Sequence, residues 1–160
     1  MSEDFERLLG ALSAAGVEFI LIGGFAATAH GSARATFDLD VVYSRQTANL
    51  ERMANALQRL NPYLRGAPPG LPFHLDAATL RAGLNFTLTT DLGPLDLLGN
   101  IAGGGGYDNL IAHTVALELF GHSCRCINLD KLIEVKRAAG RPKDLESIAE
   151  LESLRDRRER

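Results

Sequence analysis

The 160-residue sequence predicts one α+β (mixed α/β) domain, 1–160, in which a mixed β-sheet is flanked by helices. Three observations carry that expectation. Short apolar runs bounded by glycine alternate with amphipathic stretches of helical period. Two pairs of strand-like runs are joined by tight turns, as antiparallel hairpins are, which argues against a doubly wound parallel sheet. Hydrophobic residues make up 46% and charged residues 23%, enough apolar mass to bury a core without disulfide or metal staples.

The elements follow in order. Phe5, Leu8, Leu9 and Leu12 repeat at helical spacing over residues 2–15, with Ser2 as a plausible N-cap and Gly16 as the stop. Residues 17–22 read as a buried strand broken by Gly23-Gly24, and 25–30 as a short helix ended by Gly31. Residues 37–43 form a second strand, in which Phe37, Leu39 and Val41 face the core if Asp38 and Asp40 simply face solvent. Leu50, Met53, Ala54, Leu57 and Leu60 mark an amphipathic helix over 46–60, and 61–75, with four of the six prolines, reads as an irregular connection. A short helix is expected at 76–82, strands at 84–90 and 95–98, a flexible loop at glycines 103–106, and strands at 113–120 and 123–128. Helices close the chain at 129–139 and 142–155, with Pro142 suited to the first helical position and a charged tail, 155–160, that frays.

Formal charge is −3, too small to announce a nucleic-acid or membrane partner, but it is unevenly spread. Residues 1–130 hold 8 basic and 13 acidic side chains, residues 131–160 hold 9 and 7, and all three lysines lie in the second segment. A mildly acidic body thus carries a basic segment suited to an anion such as a phosphate. No apolar stretch approaches the roughly 18 residues of a membrane span, and the start is acidic where a signal peptide is basic, so the cytoplasm is the expected compartment. Cys124 and Cys126 read as small hydrophobes, with zinc binding alongside His113 or His122 as the rival. Aromatic residues are only 6%, and no basic stripe or aromatic platform for RNA is evident.

The chemistry concentrates where carboxylates interrupt apolar strands. Asp38 and Asp40 are two apart, so on a strand they leave one face together, as a pair of metal ions requires; the rival is that both simply face solvent. Asp96, inside Leu95-Asp96-Leu97-Leu98, is a third interruption, with Asp91 and Asp108 next in line. Upstream, a strand running into Gly23-Gly24 and then a helix makes a corner of free N–H groups suited to a phosphate.

Gly23-Gly24 followed by Arg34-Ala35-Thr36-Phe37-Asp38-Leu39-Asp40 resembles the first motif of the nucleotidyltransferase superfamily, the polymerase-β-like fold. Its Gly-Gly form, with Arg and Thr before the acidic pair, is similar to the AbiEii-type branch of toxins, as is the later run Lys136-Arg137-Ala138-Ala139-Gly140-Arg141-Pro142-Lys143-Asp144-Leu145. Many superfamily members have Gly-Ser where this chain has Gly-Gly, so a serine contact to phosphate is absent.

The resemblance implies a nucleotidyltransferase-like mixed sheet and a Mg²⁺-dependent transfer of a nucleoside monophosphate from an NTP, ATP among them, to an acceptor hydroxyl. By it, Asp38, Asp40 and Asp96 are the catalytic residues and hold two Mg²⁺ ions. Gly23, Gly24, Arg34, Thr36, Lys136, Arg141, Lys143 and Asp144 form the nucleotide site. The acceptor stays open among an RNA or tRNA end, a protein and a small molecule, and the toxin branch implies an antitoxin partner. The alternative is a catalytically degenerate domain that binds a nucleotide or a partner.

Overall fold

The computed structural model describes residues 3–159, so the expected cap at Ser2 lies outside the described residues. The first helix, α1 (Glu3–Ala14), buries Phe5, Leu8, Leu9 and Leu12 as one stripe. Strand β1 (Phe19–Ile22) is buried along its whole length, which explains its unbroken apolar sequence. Then come α2 (Gly23–Ala29), β2 (Leu39–Tyr43), α3 (Thr47–Gln58), β3 (Tyr63–Leu64), α4 (Ala77–Ala82), β4 (Phe86–Thr90) and β5 (Gly93–Leu98). The chain ends with α5 (Tyr107–Leu110), β6 (Thr114–Leu119), β7 (His122–Ile127), α6 (Leu129–Ala139) and α7 (Pro142–Arg158).

The strands form one seven-stranded mixed sheet in the order β3-β4-β5-β2-β1-β7-β6. β1 runs antiparallel to β2 and parallel to β7, while β2 runs parallel to β5, so the centre combines both pairings. Hairpins β4–β5 and β6–β7 complete the two sides. The expected α+β class with a mixed sheet is what the molecule has. α1 packs against α3, and α6 against α7, over a core that includes Ile20, Leu21, Val42, Leu57, Leu97, Leu132 and Leu151.

Several boundaries differ from expectation, each for a physical reason. The second strand starts at Leu39, not 37, because β1 ends at Ile22, opposite Asp40, and residues before it have no ladder partner on that side. Phe37, which faces the core on the reading that sets Asp38 and Asp40 to solvent, is 78% exposed. Gly23 and Gly24 do not break the chain ahead of a helix; they are the first two residues of α2. The irregular connection at 61–75 contains the edge strand β3, which pairs with β4. The stretch before β6 holds α5 and a short 3₁₀ turn, Ile111–His113.

The glycine run expected to be a flexible loop is hydrogen-bonded and packed. Ile101 N–H donates to Gly105 O at 2.9 Å, and a Cβ on Gly103 would sit 2.7 Å from that of Ala138 on α6. The last helix continues past 155 to Arg158, whose guanidinium donates to His30 O at 2.8 Å. Cys124 and Cys126 are free and buried, and burial pushes both thiols up, that of Cys126 to about 12.

Candidate active site

The register of the central strands sets Asp40 directly opposite Asp96 across the parallel β2–β5 pair, with Asp38 two residues upstream. Asp40 is the most constrained of the three. Burial pushes its carboxyl up to about 7, helped by the charge of Asp96, a hydrogen bond shared with it, and the charge of Asp38; Lys143 pulls the other way. Its Oδ1 is buried with no hydrogen-bond partner.

The two glycines are dictated by the side chains they face. Gly23 has φ +69°, and a Cβ there would collide with the Asp40 carboxylate. A Cβ on Gly24 would lie 2.7 Å from Thr36 Oγ1, which itself donates to the Asp38 carbonyl at 3.3 Å. The Gly-Gly step therefore lets the approach to β2 press against the start of α2, and Thr36 sets the backbone that presents Asp38.

The corner between α6 and α7 supplies the positive charge. Gly140 ends α6 in the left-handed conformation, and Arg141 is the N-cap of α7. Asp144, 2% exposed, accepts from Arg141 Nε at 2.6 Å and from its second guanidinium nitrogen at 3.2 Å, and Lys136 Nζ lies 3.8 Å away. Burial acts to raise the Asp144 carboxyl, but the hydrogen bond and charge of Arg141 with the charge of Lys136 outweigh it and hold it below the ordinary range. Burial lowers the Lys136 ammonium, partly opposed by Asp144. Asp144 thus organises two cations, beyond the helix-dipole role its position alone suggests.

Three participating residues were not singled out from the sequence. Arg65, just past the edge strand β3, donates to Asp96 Oδ1 at 2.8 Å and lies 4.0 Å from Asp38 Oδ2. Its guanidinium also donates to Leu88 O at 2.7 Å, while its Nε is buried without a partner. This cation meets two of the three carboxylates directly. Ser32 and Glu150 pin the loop before β2 to α7: Ser32 Oγ donates to Glu150 Oε1 at 2.6 Å and Ala33 N–H to Oε2 at 3.1 Å. Arg34 joins them, 3.8 Å from Glu150 and donating to Glu146 O at 3.1 Å.

Two adjoining cavities meet at this point. The larger, about 500 Å³, is lined by Gly23, Gly24, Arg34, Thr36, Asp38, Asp40, Lys136, Arg141, Lys143 and Asp144 among others. The smaller, about 280 Å³, shares Gly23, Asp40, Lys136, Arg141 and Asp144 and adds Asp96. All eleven residues expected in the site line one or the other. A groove of about 670 Å³ elsewhere is lined by α7 alone and gathers no such set. Asp91 and Asp108 lie away from the site; Asp91 accepts from Asn61 at the β4–β5 turn. His30 caps the end of α2, its Nε2 2.7 Å from Ile127 O.

Among the described residues no group of three or more His, Cys, Asp or Glu side chains is arranged so that it could hold a metal ion. The donor set nevertheless fits divalent cations: three carboxylates on adjacent backbone, one with an orphaned buried oxygen, on oxygen chemistry suited to Mg²⁺.

No family model matches the sequence, and no curated protein matches it either. Solved structures do. The lincosamide antibiotic adenylyltransferase LnuA, with lincomycin bound, is similar with a TM-score of 0.63 at 14% identity, covering 96% of this chain and 98% of that one. The antibiotic-resistance factor ANT(2'')-Ia in solution gives 0.59 at 15% identity, covering 96% and 88%. The same factor in complex with adenylyl-2''-tobramycin gives 0.54 at 14% identity, covering 95% and 92%. The fold is nucleotidyltransferase-like. The finer resemblance to AbiEii-type toxins rests on the two sequence motifs alone.

Proposed function

We propose that this protein is a metal-dependent nucleotidyltransferase that moves a nucleoside monophosphate from an NTP to an acceptor hydroxyl and releases pyrophosphate. One observation carries the reading: Asp40 borders both cavities, Asp38 only the larger and Asp96 only the smaller. A reaction that joins two substrates at one phosphorus needs such a shared wall, with the attacking and leaving groups approaching from opposite sides.

The larger cavity suits the nucleotide. Gly23 and Gly24 line it with backbone, and Lys136, Arg141 and Lys143 offer cations to a phosphate, with Arg34 and Thr36 at the same wall. Asp38, Asp40 and Asp96 would hold two Mg²⁺ ions, which supply neutralisation of the charge developing on the phosphoryl oxygens. The acceptor oxygen forms a bond to the α-phosphorus as the bond to the bridging oxygen of pyrophosphate breaks, and the hydroxyl proton passes to the Asp96 carboxylate. Adenylyl transfer by the solved neighbours LnuA and ANT(2'')-Ia supports the reaction class.

The two motifs also favour a second reading of the biological role: a toxin modifying an RNA or tRNA end and held in check by an antitoxin protein. No helix among the described residues is long and apolar enough to cross a membrane; a single domain working in the cytoplasm is part of the proposal. Incubation of the protein with each α-labelled NTP, Mg²⁺ and a cell lysate tests it. Label on a metabolite, protein or RNA together with pyrophosphate release is the expected outcome, and nucleotide binding without pyrophosphate release would instead establish the degenerate-domain alternative.

A further inference from the structure

The smaller cavity differs from the nucleotide cleft in the chemistry of its walls. One wall is charged, with Asp40, Asp96 and the cluster in which Asp144 pairs with Lys136 and Arg141; away from it the cavity is bounded by Leu98, Ile101, Leu132 and Val135, with Ala102 and Ala139 at its rim. No aromatic side chain lines it, so it offers no stacking surface for a nucleobase. It offers no acidic ring for a polycation either. The lining carboxylates are Asp40, Asp96 and Asp144, of which Asp144 is held by Arg141 and Asp96 by Arg65.

The glycine run explains how this cavity is closed. Gly103 lies against Ala138 and the Glu134 carbonyl, and a Cβ on Gly104 would come within 2.8 Å of Ile101. Only a segment without side chains brings Ile101 and Ala102 this close to α6. At about 280 Å³ the space sits at the small end of ligand pockets, which run from roughly 300 to 1,000 Å³.

We propose that the acceptor is a small uncharged alcohol with an apolar body, its hydroxyl at Asp96 and its body between β5, the glycine-run loop and α6. The inference rests on the nucleotidyltransferase reading. Its test uses binding, which is read apart from turnover. Saturation-transfer NMR is recorded with cyclohexylmethanol, 2-phenylethanol and 1-indanol as probes, in parallel with tobramycin and a CCA-ended RNA hairpin, each with the non-reacting nucleotide α,β-methylene-ATP and Mg²⁺ present. The alcohols are expected to receive saturation. Ala139→Trp and Ala102→Glu, both at exposed rim positions and so compatible with folding, should weaken that binding by about tenfold without changing nucleotide affinity. Absence of alcohol binding, alcohol binding indifferent to both variants, or displacement of the alcohols by tobramycin or the hairpin overturns the proposal. Failure of the parent reading looks different: the wild-type protein releases no pyrophosphate from any NTP in the labelled-lysate incubation, whether or not the methylene nucleotide and the alcohols bind.

Discussion

At Asp40 burial and two neighbouring carboxylates act on one group, and together they raise it to about 7. A carboxyl raised on folding stabilises the protein fully below its unfolded value near 4, and that contribution is lost as pH rises through about 7. Metal-free Asp40→Asn removes the dependence. It should be the more stable protein at pH 8, by up to about 4 kcal/mol, with the gap closing towards pH 4. Thermal unfolding of both proteins across pH 4–8 in EDTA measures this, and parallel curves would show that Asp40 is solvated. Asp96 makes a different prediction. Asparagine keeps its shape opposite Asp40 but takes no proton, so Asp96→Asn should keep nucleotide affinity while turnover falls about a hundredfold or more. Equal losses in binding and turnover would place its effect in the ground state.

At the scale of elements, the edge strand β3, which escaped the sequence, is informative. It is two residues long, in a stretch rich in proline, and has no periodicity to read; its existence depends on pairing with β4. Arg65 follows it and was invisible as a site residue because its partners, Asp38 and Asp96, are 27 and 31 residues away along the chain. Removing that cation leaves the carboxylates uncompensated. Arg65→Gln should destabilise the metal-free protein by about 2 kcal/mol, and Mg²⁺ should raise the melting midpoint of the variant more than that of the wild type. Equal Mg²⁺ shifts in the two proteins would show that Arg65 only anchors the edge strand. The α6–α7 corner, by contrast, was legible. Gly140, Pro142 and the clustered cations announce a helix break carrying positive charge, and only the burial of Asp144 among them required coordinates. Lys136→Ala and Lys143→Ala should weaken NTP binding by about tenfold each, more than they lower the melting midpoint. Unchanged affinity in both would remove the corner from the nucleotide site.

For the whole molecule, the mixed sheet was readable from glycine-bounded apolar runs and hairpin turns, because local pattern and final topology agree there. Strand order was not readable: which strand lies beside β2 depends on long-range pairing, and that pairing is what brings Asp96 to Asp40. Phe37 is the clearest case. Alternation along an assumed strand puts it inside if Asp38 and Asp40 face solvent, whereas the end of β1 stops the ladder before it and leaves it at the mouth of the larger cavity. The glycine run misled for a related reason, since composition reports backbone freedom, while here close approach to α6 uses the missing side chains. Of the three carboxylates Asp38, Asp40 and Asp96, the arrangement that results gives Asp40 alone to both cavities.

That shared position makes Asp40 the place to test the account. Pyrophosphate release from NTP and Mg²⁺, with the acceptor or lysate that takes up label, is measured for wild type and Asp40→Asn side by side, with circular dichroism to check folding. The predicted result is Mg²⁺-dependent release by the wild type and its loss, by about a hundredfold or more, in a variant that remains folded. Release that continues at the wild-type rate in folded Asp40→Asn would contradict a reaction centred between the two cavities.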